Sequence, residues 1–146
     1  MSTTTAAAPK LESTTWLQRV ENWDTGEADR QIREGLPIEV ATEMQQLLDL
    51  TDAETARLLG RSRSTYSRRR AQSAELGVSE AERAVRVLET IALAAETFGS
   101  LDEALTWMRE ENAALGGVTP LSLLETGPGT TIVRDLVIGF QHGFPL

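Results

Sequence analysis

Apolar residues recur three and four positions apart along most of this chain, and glycines, prolines and hydroxyl-bearing caps break the repeats into short blocks. That punctuation constrains the chain to a set of short amphipathic helices. Trp16, Leu17, Val20 and Trp23 form the first block, which stops near Gly26, and the next break is Gly35-Leu36-Pro37. Pro37 suits the first turn of a helix in which Ile38, Ala41, Met44, Leu47 and Leu48 make a stripe ending near Asp49. Thr51 and Glu54 stand at capping-box spacing, so a short helix is expected from Asp52 to Leu59, stopped by Gly60. Ser62 then caps a third helix running to about Gln72.

After Glu75-Leu76-Gly77, Ser79 with Glu82 reads as another capping box opening a long helix. Ala84, Val87, Leu88, Ile91, Leu93 and Ala94 give it a broad apolar face to about Phe98, and Gly99 closes it. Ser100 with Glu103 repeats the device ahead of Leu101, Ala104, Leu105, Trp107 and Met108, in a helix ending before Asn112. Two short helices follow, from Pro120 to Leu124 and from Thr130 to about Phe140, separated by Gly127-Pro128-Gly129 read as a turn. No stretch alternates β-branched residues as a strand would. The expected fold is all-α, with no internal repeat. Residues 1–15 are rich in Ser, Thr and Ala and offer little apolar surface to offset the entropy of ordering, so they are read as a flexible arm.

Charge then singles out one block. Residues 55–74 carry six arginines, Arg57, Arg61, Arg63, Arg68, Arg69 and Arg70, while all 22 acidic residues lie elsewhere in a chain of net charge −8. Such a local reversal of sign is the electrostatic footprint of an element that meets a polyanion. It coincides with a helix-turn-helix pattern at 51–72: Ala56 is the small residue where two helices touch, Gly60 makes the turn, and Ser62 begins a recognition helix. On that helix Thr65 and Tyr66 are expected on or near the buried side, with Arg63, Ser64, Ser67 and Arg68 projecting outward. Arg63 is the candidate for bidentate reading of a guanine, a contact worth about 1–3 kcal/mol of discrimination. Arg69 and Arg70, with Arg57 and Arg61, suit phosphate contacts that position without specifying sequence. The competing reading of an arginine-rich helix is a solvated face. The DNA reading requires a bihelical corner here, and guanidinium groups not buried against carboxylates of the same molecule.

The string Ala114-Leu115-Gly116-Gly117-Val118-Thr119-Pro120-Leu121, continued by Leu123-Leu124, Thr126, Gly129, Val133, Asp135-Leu136 and Gly143, resembles the C-terminal toxin-binding domain of the Xre/MbcA/ParS-type antitoxins. The resemblance extends upstream through Trp107, Phe98-Gly99, Ser79 to Arg86, and Thr65 with Arg68-Arg69-Arg70, covering about residues 36–146. It departs from the family at Arg61, where an apolar residue is common. What it implies is a helix-turn-helix domain that represses its own operon, followed by a small helical domain that neutralises a cognate RES-domain toxin, an enzyme that consumes NAD. The implied division is a DNA-binding domain at 16–95 and a toxin-binding domain at 96–146. Carried over from the family, the C-terminal end would cover the toxin's active-site cleft with His142, Gly143, Phe144, Pro145 and Leu146. Two apolar groups and a terminal carboxylate on a short tether suit a cleft built for an anionic dinucleotide; the alternative is an ordinary frayed end with Phe144 folded back. For Gly116 and Gly117 a local turn ahead of a Pro120 helix start is preferred over toxin contact.

Other functions have less behind them. No cysteine and one histidine exclude a disulfide frame, a thiolate metal site and a His-based metal centre within one chain, and no cofactor is expected. The acidic residues Glu80, Glu82, Asp102, Glu103, Glu110 and Glu111 are read as solvated acids on capped surface helices, His142 as a lone exposed histidine. An enzyme is therefore not expected. A stand-alone helix-turn-helix regulator with a dimerisation or ligand-sensing C-terminal domain is the main competitor, and an all-helical adaptor with no DNA role the second. The longest apolar run, Ile91 to Ala95, is far below the roughly 20 residues of a bilayer span. The expectation is a soluble, cytoplasmic homodimer that binds an inverted repeat in operator DNA and no membrane.

Overall fold

The structure, a computed structural model, describes residues 14–143. It is helical nearly throughout: α1 (Trp16–Glu21), α2 (Thr25–Glu34), α3 (Glu39–Leu48), α4 (Asp52–Leu59), α5 (Arg63–Ala71), α6 (Val78–Phe98), α7 (Leu101–Arg109), a 3-10 turn (Ala113–Leu115), α8 (Pro120–Leu123) and α9 (Gly127–Gln141). Two short segments, β1 (Leu36–Pro37) and β2 (Glu75–Leu76), pair antiparallel with Leu36 opposite Leu76. The all-α expectation holds.

α6 is the axis on which both halves pack. Ala81, Ala84, Val87, Leu88, Ile91 and Ala94 are fully buried along it. One contiguous core joins them to Val20 of α1, Met44 and Leu48 of α3, Leu59 of α4, Met108 of α7, and Val133 and Val137 of α9. At the far end of α6 the rings of Phe98, Trp107 and Phe140 meet with centroids 5.2–6.0 Å apart, tilted or edge-on as aromatic quadrupoles prefer. Arg109 of α7 reaches back to donate to the backbone carbonyls of Leu48 and Asp49 at the end of α3, where helix carbonyls lack partners.

Several boundaries differ from those read in the sequence. Trp23 lies beyond the end of α1, and Gly26 sits inside α2. That helix carried little apolar signal, because only Ala28 is buried. Its support is polar: Asp24 caps the Glu27 N–H at 2.8 Å, and Arg30 and Arg33 pair with Glu34 and Asp29 one turn away. Pro37 is in the β pair, not a first helical turn, and α3 starts at Glu39. α6 opens at Val78 with Gly77 as its cap; the Ser79–Glu82 box does not form, and Glu80 instead accepts the Gly77 N–H at 2.8 Å. Gly127-Pro128-Gly129 is the first turn of α9, capped by Thr126, and not a separator. Thr15, placed in the arm, caps α1 in a capping box with Gln18; the rest of that arm through residue 13 lies outside the described residues.

Candidate nucleic-acid interface and C-terminal surface

α4 and α5 form the bihelical corner. Gly60 takes the left-handed conformation (φ 72°) that ends α4, and the Arg61 N–H returns to the Ala56 carbonyl at 2.9 Å. Ala56 is buried at the crossing. Ser62 accepts the Thr65 N–H at 3.2 Å and starts α5. Tyr66 is buried, with its hydroxyl donating to Gln45 of α3. Burial pushes the Tyr66 phenol above its ordinary range.

Two carboxylates from outside the arginine block hold α5 in place. Asp52, at the start of α4, accepts from Gln45 (2.9 Å), from Ser67 (2.9 Å) and from both Nη atoms of Arg70 (2.6 and 2.8 Å). The Gln45 amide and then the Arg70 guanidinium hold its carboxyl at about 2, well below the usual range. Glu80, at the start of α6, is 2% exposed and accepts from Arg61 Nε at 2.7 Å and from Arg69 Nη1. Arg57 is 3.6 Å from Glu125.

These contacts correct the sequence reading in three places. Ser67 does not project outward; its hydroxyl is spent on Asp52, because it lies beside Tyr66 on the flank facing α4. Glu80 is a buried acid and not a solvated one, since it stands four and seven residues before Ala84 and Val87 on the inward stripe of α6. Arg57, Arg61, Arg69 and Arg70 pair with carboxylates of the same molecule, acids that the sequence places outside the block but the fold returns to it. The four side chains nevertheless stay 32–58% exposed, so they are paired at the surface and not entombed. Ser62, Arg63, Ser64 and Arg68 are exposed. Among the described residues Arg63 and Arg68 make no ion pair. A spacing of four puts Ser64 and Arg68 on one outward stripe, opposite Tyr66. Sequence reasoning missed Asp52, Glu80 and Gln45; the one available signal was that Glu80, Ala84 and Val87 repeat at i, i+4 and i+7.

In the C-terminal half the string from Gly116 onward builds local structure. Gly116 (φ 82°) and Gly117 (φ 90°) reverse the chain, and Asn112 donates to the Val118 carbonyl at 3.0 Å across the loop. Thr119 caps the Ser122 N–H at 3.1 Å with buried Pro120 at the first helical position, and Leu124 enters the core. Arg83 donates to the Glu125 carbonyl at 3.2 Å, tying this loop to α6. The outer face of α9 exposes Ile132 (51%) and Ile138 (37%). His142 caps the end of α9 and, with Gly143, is exposed; Phe144, Pro145 and Leu146 lie outside the described residues.

A groove of about 540 Å³ between α2, α6 and α9 carries charges of both signs, Asp29, Glu82, Arg86, Glu89 and Arg134. Burial raises the Glu89 carboxyl there. No group of three or more His, Cys, Asp or Glu that could hold a metal occurs among the described residues, nor a helix long and apolar enough to cross a membrane.

Comparison with known proteins finds two family domains in the chain. The antitoxin Xre-like helix-turn-helix domain matches residues 27–89, and the antitoxin Xre/MbcA/ParS C-terminal toxin-binding domain matches residues 93–143. A relative named antitoxin Xre, from Photorhabdus laumondii, is 30% identical over 113 residues, covering 77% of this chain and 76% of its own. An antitoxin Xre from Yersinia enterocolitica is 31% identical with the same coverage of both chains. A third, from Pseudomonas putida, is 31% identical over 71 residues, 49% of this chain and 45% of that protein.

Proposed function

Because the chain belongs to the Xre-type antitoxin family, we propose that it neutralises a cognate RES-domain toxin, an NAD-consuming enzyme, through residues 96–146 and represses its own operon through residues 16–95. As an antitoxin it has a helix-turn-helix and a toxin-binding domain, and its part in the module is binding and not catalysis. It acts in the cytoplasm.

The observation that carries the DNA half is the outward face of α5, where Ser62, Arg63, Ser64 and Arg68 stand exposed on a capped helix leaving a glycine turn. In a homodimer two such helices enter successive major grooves about 34 Å apart on an inverted repeat. Arg63 reads a guanine edge and Arg68 stands beside it on a phosphate; Arg57, Arg61, Arg69 and Arg70 flank the face, tied to carboxylates of the same chain. On the toxin side, the exposed end of α9 at His142 and Gly143 delivers Phe144, Pro145 and Leu146 to the cleft, with Ile132 and Ile138 alongside.

A footprint on the promoter region tests the DNA half. Arg63→Ala is expected to relax base preference, at a cost of about 1–3 kcal/mol at the operator; an unaltered footprint and affinity would remove Arg63 from the reading role. The internal pairing of four arginines favours a second reading, an antitoxin whose helix-turn-helix serves only as a scaffold. Absence of duplex binding at low salt would select it.

A further inference from the structure

Glu80 binds more donors than a helix cap requires. Its Oε1 accepts the Gly77 N–H at 2.8 Å and Arg69 Nη1, its Oε2 accepts Arg61 Nε at 2.7 Å, and the residue is 2% exposed. A carboxylate withdrawn from water is tolerated only when its oxygens stay hydrogen-bonded, so exchanging these bonds for contacts to a phosphate would leave a buried charge unpaired. Arg61 precedes α5 and Arg69 lies in its last turn. One buried acid on α6 therefore holds both ends of the recognition helix.

We propose that Glu80 is a positioning residue for DNA recognition: it fixes the seat of α5 on α6 and withholds Arg61 and Arg69 from phosphates, leaving Arg63 and Arg68 as the guanidinium groups presented to the duplex. The inference rests on the DNA-binding reading above. Its functional consequence is selectivity. Guanidinium groups free to roam bind any phosphate, whereas two held ones contribute little to sequence-independent affinity. This assigns Arg61 and Arg69 a different role from the phosphate contacts expected in the sequence.

The test is the salt dependence of binding to operator and to random duplex, measured for the full chain and for single variants. Arg68→Ala is expected to flatten the log–log slope by about 0.9. Arg61→Ala and Arg69→Ala are expected to leave it as in the parent. Glu80→Gln, isosteric but neutral, is expected to steepen it by about 0.9 for each guanidinium released, raising random-duplex affinity and lowering the operator-to-random ratio. A Glu80 that only stabilised the fold would shift the melting temperature and leave the slope alone, and that result overturns the proposal. So does a flattening by Arg61→Ala or Arg69→Ala equal to that of Arg68→Ala, a comparison that stands even if Glu80→Gln fails to fold. A readout without DNA separates the two layers: the Nε–H resonance of Arg61 should exchange slowly with solvent in the parent, those of Arg63 and Arg68 fast. Fast exchange at Arg61 removes the clamp itself. Slow exchange with no duplex binding at low salt leaves the clamp standing and overturns both its role and the DNA reading.

Discussion

Tyr66 and Arg68 stand two residues apart on α5 and face opposite ways, one buried against Gln45 and the other in solvent. Helical geometry made that division legible in the sequence, as it did for Ala56 and Gly60. The ion pairs were not legible, because Asp52 and Glu80 reach the arginines from neighbouring helices at sequence separations of 18 and 19 residues. Asp52 leaves a measurable trace. Its carboxyl is lowered from 3.8 to about 2 in the folded chain, so its contribution to stability is complete above the unfolded value and is lost as pH falls from about 4 through 2. Thermal melts of Asp52→Asn should lack that component of the acid decline; a variant declining in parallel with the parent would show that the site is not coupled to folding. Gly129 carries a separate demand. A Cβ there would lie 2.0 Å from the Leu123 carbonyl oxygen, backbone that cannot swing away. Gly129→Ala should destabilise by about 1–3 kcal/mol or more, read by denaturant melts; an unchanged midpoint would mean that α8 and α9 are not packed as described.

Elements with strong caps and apolar stripes were read within a residue or two: α4, α5 and the end of α6 at Phe98 fall where the Thr51 box, the Ser62 cap and Gly99 put them. α2 was missed because its signal is charge pairing between helical neighbours, which contributes weakly and resembles any solvated segment. The Ser79–Glu82 box puts the start of α6 two residues late, and Glu80 reads as a solvated acid of that first turn although its spacing to Ala84 and Val87 puts it on the inward stripe. The Ser62 cap connects element to function. Ser62→Ala removes the acceptor for the Thr65 N–H and should lower stability by about 1 kcal/mol. The first turn of α5, carrying Arg63 and Ser64, should fray, so operator affinity is expected to fall more than toxin inhibition; equal losses in both would indicate global unfolding instead.

Across the whole molecule, one helix underlies both of the proposed activities. α6 holds the recognition helix through Glu80 at one end, and at the other Phe98 packs on Trp107 and Phe140 while Thr97 accepts from Gln141 at 2.7 Å, one residue before the exposed His142. The two faces share a core and meet at the surface in the Arg57–Glu125 pair, so changes at one end that are remote from that pair should leave the other working. The most direct measurement takes the RES-domain toxin proposed as the partner and follows its NAD consumption, titrated with the purified chain and with a chain ending at residue 143. The full chain should abolish consumption near stoichiometry, and the shortened one should inhibit much less while still binding operator DNA as tightly. Consumption that continues undiminished in the presence of the full chain would contradict the account at its centre.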